Sequence, residues 1–183
     1  MASDGLARLI PLSTPISYPL SAEPADMLQV LQVLQVLHPG DVVLAQRGDR
    51  LETLLGSCIS IILTDPRRTL AAMCHIVHSG RAPVDARGDA TSHAEPALAA
   101  MLALLRRSGI NPLQCEAYLF GGGNMFPQLY AQAHVGSNNT DWALDALADL
   151  GIRLAGQDTG GNAYRRITWA VGPDAPQVRL GQT

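Results

Sequence analysis

A chain of 183 residues that is 47% hydrophobic but only 4% aromatic suits one compact domain with a core of Leu, Val, Ile and Ala. A formal net charge of -3 without a basic block argues against nucleic-acid binding through phosphate neutralisation. The three cysteines, Cys58, Cys74 and Cys115, come with no secretory leader and no apolar run near the ~18–20 residues of a membrane span, which points to free thiols in the cytoplasm.

In chain order, residues 1–35 read as a flexible N-terminal arm and residues 36–183 as a single domain. Pro11, Pro15, Pro19 and Pro24 punctuate the arm. Leu-Gln-Val then occurs three times between Leu28 and Val36. A three-residue period fits a strand and a 3.6-residue helix equally badly. The repeat is either a short amphipathic helix or, as preferred here, an expansion whose last copy merges into the first strand.

His38-Pro39-Gly40-Asp41 is a turn, 42–45 a short strand, and 47–50 a polar turn in which Gly48 takes an unusual backbone angle. Residues 51–78 read as a β-hairpin, with an apolar, mostly β-branched strand at 59–63 and Asp65-Pro66 opening the turn. With 65–68 as the loop and Thr64 opposite Thr69, Ile62 falls opposite Ala71, Ser60 opposite Met73 and Cys58 opposite His75. Directly opposed residues share a face, with Cβ atoms about 4.5–5.5 Å apart, whereas a slip of one residue would separate them.

After a polar loop at 79–90, Ser92 and Glu95 have capping-box spacing for a helix at 94–107 that Gly109 closes. A strand at 115–120 runs into Gly121-Gly122-Gly123-Asn124. A second helix spans 141–150, with Asn139 or Thr140 as N-cap and Gly151 beyond its end. Strands at 152–155 and 165–171, and an edge strand at 177–180, complete a mixed α/β or α+β pattern.

Thiol beside imidazole is the arrangement that nucleophilic catalysis needs. A free cysteine has a pKa of about 8.5, so a histidine must take its proton before the sulfur attacks at neutral pH. The plain alternative is a buried core cysteine. Gly56 before Ser57 and Cys58 would let the backbone approach a substrate or take an uncommon conformation, and N–H groups there would face an oxyanion. Thr53 either orients the imidazole or substrate amide, or is simply a good strand former.

Other candidates carry less. The glycine run lacks the Gly-Lys-Ser/Thr of a phosphate loop, so close packing or approach of a peptide is preferred. Cys58, Cys74, His75 and His78 do not make a zinc set, because Cys74 and His75 are strand neighbours that point to opposite faces. Cys74 and Cys115 read as inert core thiols. His38, His93 and His134 have no evident partner.

Taken together, ordered blocks of the chain resemble the chemoreceptor glutamine deamidase family CheD. They are His38-Pro39-Gly40-Asp41, Thr53-Leu54-Leu55-Gly56-Ser57-Cys58, Asp65-Pro66, and His75 at 17 positions beyond Cys58. Tyr118 through Met125, Val135-Gly136-Ser137-Asn138-Asn139 and Asp158-Thr159-Gly160-Gly161 follow. The resemblance implies a sandwich of stacked mixed β-sheets flanked by helices and a cytoplasmic cysteine hydrolase that turns receptor glutamines into glutamates. It implies Cys58 as nucleophile, His75 as general base and Thr53 as third member, with Gly56 and Ser57 around the oxyanion, and neither metal nor cofactor. Partners so implied are the cytoplasmic helical region of methyl-accepting chemotaxis receptors and a CheC-type phosphatase. Alternatives are a non-catalytic chemotaxis regulator or another thiol amidohydrolase. The chain departs from the family pattern around His78, at Ser92-His93-Ala94-Glu95 and at Tyr164-Arg165, all near the implied substrate rim.

Overall fold

The computed structural model of the chain describes residues 32–84, 90–129 and 133–181. Most of the expected arm, up to Leu31, lies outside the described residues. The last Leu-Gln-Val copy, followed by Leu37, forms β1 (Leu34–Leu37). After it come β2 (Val42–Gln46), β3 (Arg50–Leu55), β4 (Ile59–Thr64) and β5 (Leu70–Cys74). Next are α1 (Ala94–Arg107), β6 (Glu116–Gly121), α2 (Val135–Asp149), β7 (Arg153–Thr159), β8 (Tyr164–Ala170) and β9 (Gln177–Gly181).

The strands form two sheets, ordered β1-β3-β8-β9 and β2-β5-β4-β6-β7. Each is mixed, because β1 runs parallel to β3 and β6 parallel to β7 while the other neighbours are antiparallel. The chain is thus an α+β sandwich of the class expected from its sequence.

Burial explains the layering. Leu51, Thr53 and Leu55 of β3 are buried while Arg50 and Leu54 are exposed, the period-2 signature of a sheet with one covered face. In β4 every residue is buried, as a central strand covered on both faces requires. Ile59, Ile61 and Leu63 pack with Ala97, Met101 and Leu105 of α1 and Ala143 and Leu147 of α2. Ile62 of β4, with Met73, Tyr118 and Phe120, packs instead against Leu51, Leu55, Ile167 and Trp169 of the four-stranded sheet. The order of layers is helices, five-stranded sheet, four-stranded sheet.

Two expectations about the strands need correction. Residues 51–78 are not one hairpin: β3 belongs to the four-stranded sheet, and Gly56-Ser57-Cys58 carries the chain across to β4 in the other. Within the β4–β5 hairpin, Ile62 pairs with Met73 and Thr64 with Ala71, two residues away from the expected register. The cause is Asp65, whose carboxylate accepts the N–H groups of Arg67, Thr69 and Leu70 and whose own N–H donates to Leu70, so that the loop encloses Thr69. Because the offset is even, every side chain keeps the face assigned to it.

The helix starts also differ from expectation. α1 has His93 as N-cap with no side-chain cap bond, so Ser92 and Glu95 do not form a capping box; Glu95 pairs with Arg81. α2 begins at Val135, not near Asp141, and its N-cap is His134. Among the described residues no helix is long and apolar enough to cross a membrane.

Candidate active site

Inward-facing Thr53 on β3 lies across the sandwich from the end of β5, where His75 follows Cys74. The backbone N–H of His75 donates to the Asp41 carbonyl (3.0 Å), and its carbonyl accepts from Gly40 N–H (2.8 Å). Thr53 Oγ1 donates to the carbonyl of Leu37 at 2.9 Å and lies 2.9 Å from His75 Nδ1. A hydroxyl has one proton, and here Leu37 takes it. The contact with the imidazole is therefore Nδ1–H donating to Oγ1, which leaves the lone pair on Nε2. That Nε2 is buried and has no hydrogen-bond partner among the described residues.

Cys58 sits on the same inter-sheet face. Extending the observed register to the Ile59–Ile76 bridge puts Ser60, not Cys58, directly across from His75. Cys58 lies on the diagonal, where Cα separations run to about 7–8 Å. No hydrogen bond joins the thiol to the imidazole. Burial pushes the Cys58 thiol pKa up, partly offset by its own backbone N–H. Burial likewise pushes His75 down, against a smaller upward pull from the Leu37 carbonyl and the Asp41 carboxylate. At rest both groups are neutral, so the site holds a base and an acid rather than a preformed ion pair.

A cavity of about 720 Å³ opens over Cys58. Gly56, Ser57 and Cys58 line it together with Met125, Phe126, His134, Asn138 and Tyr164, and no Asp, Glu, Lys or Arg is among its described lining residues. The N–H groups of Ser57 and Cys58 donate to no other group among the described residues. Gly56 does not take a left-handed conformation; it supplies space, since a Cβ there would come 3.0 Å from Met125 Sδ and 3.1 Å from the Tyr164 ring.

The glycine run after β6 also acts through proximity. Gly122 N–H donates to the Cys58 carbonyl and Gly123 N–H to that of Gly56, both at 2.8 Å. Gly121 has φ +103°, and a Cβ on it would lie 2.2 Å from the Cys58 carbonyl oxygen. Gly136 of α2 packs so closely that a Cβ there would lie 2.4 Å from the Gly122 oxygen. This contact brings the start of α2 onto the nucleophile loop.

Sequence reasoning missed two residues there. Buried Asn139 donates from Nδ2 to the carbonyls of Ser57 (3.2 Å) and Val77 (2.9 Å), tying the loop before Cys58 to the segment after His75. His134 caps α2 and faces the cavity. The His38 carboxylate partner, Asp41, was also not foreseen, nor the tilted ring contact of His78 with His93, centroids 5.0 Å apart.

Of the other thiols, Cys74 faces the helices and burial pushes it up to about 12. Cys115 is raised to about 11, by burial first and the Asp65 charge second. Cys74 thus points away from Cys58 and His75, and the imagined zinc set does not assemble.

A single-domain α+β sandwich with a half-buried thiol lining a cavity that has no Asp, Glu, Lys or Arg among its described lining residues is the class that this geometry defines. The family model "CheD chemotactic sensory transduction" matches residues 78–175. Relatives named "Probable chemoreceptor glutamine deamidase CheD" include one from Pseudomonas fluorescens, 37% identical over 139 residues, covering 72% of this chain and 76% of the relative. A similarly named protein of Albidiferax ferrireducens is 37% identical over 74% of this chain and 80% of its own length. One from Methanococcus vannielii is 30% identical over 78% of this chain and 92% of the relative. The chain belongs to the CheD family.

Proposed function

We propose that this protein is a cytoplasmic protein-glutamine deamidase acting on chemotaxis receptors, with Cys58 as nucleophile, His75 as general base and Thr53 as the group that fixes the imidazole. The observation that carries the reading is the Thr53–His75 contact, which leaves a buried Nε2, without a partner among the described residues, on the face that Cys58 shares. The names of the relatives supply the substrate. The domain from residue 36 onward is expected to be sufficient for the reaction, and the cytoplasmic helical region of a receptor is the surface it would meet.

Nε2 takes the Sγ proton as the thiolate attacks the side-chain carbonyl carbon of a glutamine. The negative oxygen of the tetrahedral intermediate accepts from the Ser57 and Cys58 N–H groups beside Gly56. His75 then gives its proton to the departing nitrogen, and ammonia leaves a thioester. Water, deprotonated by Nε2, attacks the thioester carbon; glutamate is released and the thiol recovers its proton. No step calls for a metal or cofactor.

The absent thiol–imidazole hydrogen bond favours a second reading, a receptor- or CheC-type-phosphatase-binding regulator that does no chemistry. Incubation of a receptor cytoplasmic fragment with the protein, followed by mass-spectrometric mapping of glutamine-to-glutamate changes, tests the first. Conversion by the wild type and none by Cys58→Ala is the expected result; equal conversion by both would rule the assignment out. A Cys58 that reacts with iodoacetamide no faster than Cys74 or Cys115 in the native protein would support the regulator.

A further inference from the structure

His134 is more than a helix cap. The backbone N–H of Ser137 donates to His134 Nδ1 at 3.2 Å, and the backbone N–H of His134 donates to Ser137 Oγ at 3.1 Å, so the two residues hold each other reciprocally. An Nδ1 that accepts a hydrogen bond carries no proton, and the neutral ring must then carry it on Nε2. The same bond turns Nδ1 toward the helix and leaves Nε2–H on the opposite side of the ring. The hydrogen bonds of His134 among the described residues run through its backbone and Nδ1, none through that nitrogen, and the ring lines the cavity over Cys58. Asn138, one turn further along α2, lines the same wall, and Asn139 anchors the helix to the Ser57 carbonyl at 3.2 Å.

A tautomer fixed as donor, on a ring that lines a cavity with no Asp, Glu, Lys or Arg among its described lining residues, matches a neutral acceptor. We propose that His134 is a substrate-binding residue whose Nε2–H donates to a carbonyl oxygen of the glutamine-bearing segment held in the cavity. The assignment rests on the reading of this cavity as the amide site, and adds to it a contact on the wall away from the sulfur. A cap alone would need only the Nδ1 side of the ring. Serine provides that with its hydroxyl and is among the favoured N-cap residues.

This gives a separation of roles by substitution. His134→Ser keeps an acceptor for the Ser137 N–H and removes the distal donor; His134→Gln places an amide N–H at a reach similar to that of Nε2. KM for the receptor fragment is expected to rise about 3- to 10-fold in His134→Ser, the range for one neutral hydrogen bond, with kcat changed less and thermal stability close to wild type. His134→Gln is expected to recover part of that loss. Alkylation of Cys58 by 2-chloroacetamide, a small amide-bearing probe, should slow in His134→Ser, while labelling by methyl methanethiosulfonate should not. Wild-type KM and wild-type chloroacetamide rates in a folded His134→Ser would overturn the proposal. If that variant does not fold, His134→Asn, another strong cap with shorter reach, is judged by the same two readouts. A wild type that leaves receptor glutamines unchanged, yet alkylates with chloroacetamide in a His134-dependent way, would refute deamidation and keep this contact.

Discussion

The Thr53 hydroxyl sets the chemical state of the imidazole. It links Leu37 of β1 and His75 beyond β5, residues of different sheets, through two 2.9 Å contacts. Thr53→Val keeps shape and removes both bonds. It is expected to lower kcat roughly tenfold or more with KM little changed, since only the proton-transfer geometry is lost; steady-state kinetics on a receptor fragment reads this, and an unchanged kcat would remove Thr53 from the site. The three residues 53, 58 and 75 were legible because their chemistry and spacing sit in one short stretch. Their arrangement was not, because Thr53 reaches His75 only across the sandwich, and no local pattern places β3 and β5 in facing sheets. His134 and Asn139 were illegible for another reason. Val-Gly-Ser-Asn-Asn-Thr is a poor helix former, and this first turn of α2 is held by tertiary contacts, Gly136 on Gly122 and Asn139 on Ser57.

At the level of elements, the β4–β5 hairpin shows why Cys58 and His75 keep the one face expected of them despite a wrong register. An Asp-Pro turn signal locates a loop but not its length, and the Asp65 carboxylate drew two further residues into it. The resulting even offset moved Cys58 to the diagonal of His75 without changing its face. Where the glycine run meets the nucleophile loop there is no such tolerance. Gly121→Ala, with its Cβ directed at the Cys58 carbonyl, is expected to destabilise the fold by about 3 kcal/mol or more in urea unfolding. Asn139→Ala removes the donor to two part-buried carbonyls and, at the net worth of two hydrogen bonds, should cost about 1–3 kcal/mol. A melting point equal to that of the wild type would show that neither carbonyl depends on Asn139.

Across the whole molecule, the four- and five-stranded sheets are linked by buried Arg165 of β8, whose Nε donates to Asp158 of β7 at 2.8 Å. The pair joins the two sheets beside the cavity, and neither periodicity nor propensity foretold it. The fold class was readable from the alternation of strand and helix signals, whereas the division of strands between two sheets depends on contacts between distant residues.

Stability should carry the mark of His75. Its proton is held less tightly in the folded protein than in the unfolded chain because burial disfavours the charged ring. Its contribution is therefore complete above the unfolded value of about 6.5 and lost as pH falls from there through the lower folded value. Urea midpoints measured between neutral and mildly acidic pH are expected to fall with pH, and less steeply in His75→Gln. The acid limb of kcat/KM should likewise lie below the ordinary imidazole range, because the base stays unprotonated to lower pH.

The lack of Asp, Glu, Lys and Arg among the described lining residues of the cavity would give a deamidase's turnover a direction. An amide can settle against apolar and neutral polar walls, but a carboxylate formed in the same place finds no cation among the described lining residues. For a deamidase, the chemical step itself would thus convert a tolerated guest into a poorly tolerated one, and the modified receptor would leave without a separate release device. A glutamate-bearing version of the substrate peptide is expected to inhibit at concentrations roughly tenfold above KM or higher. Inhibition at KM itself would mean that the anion is held by something other than these walls.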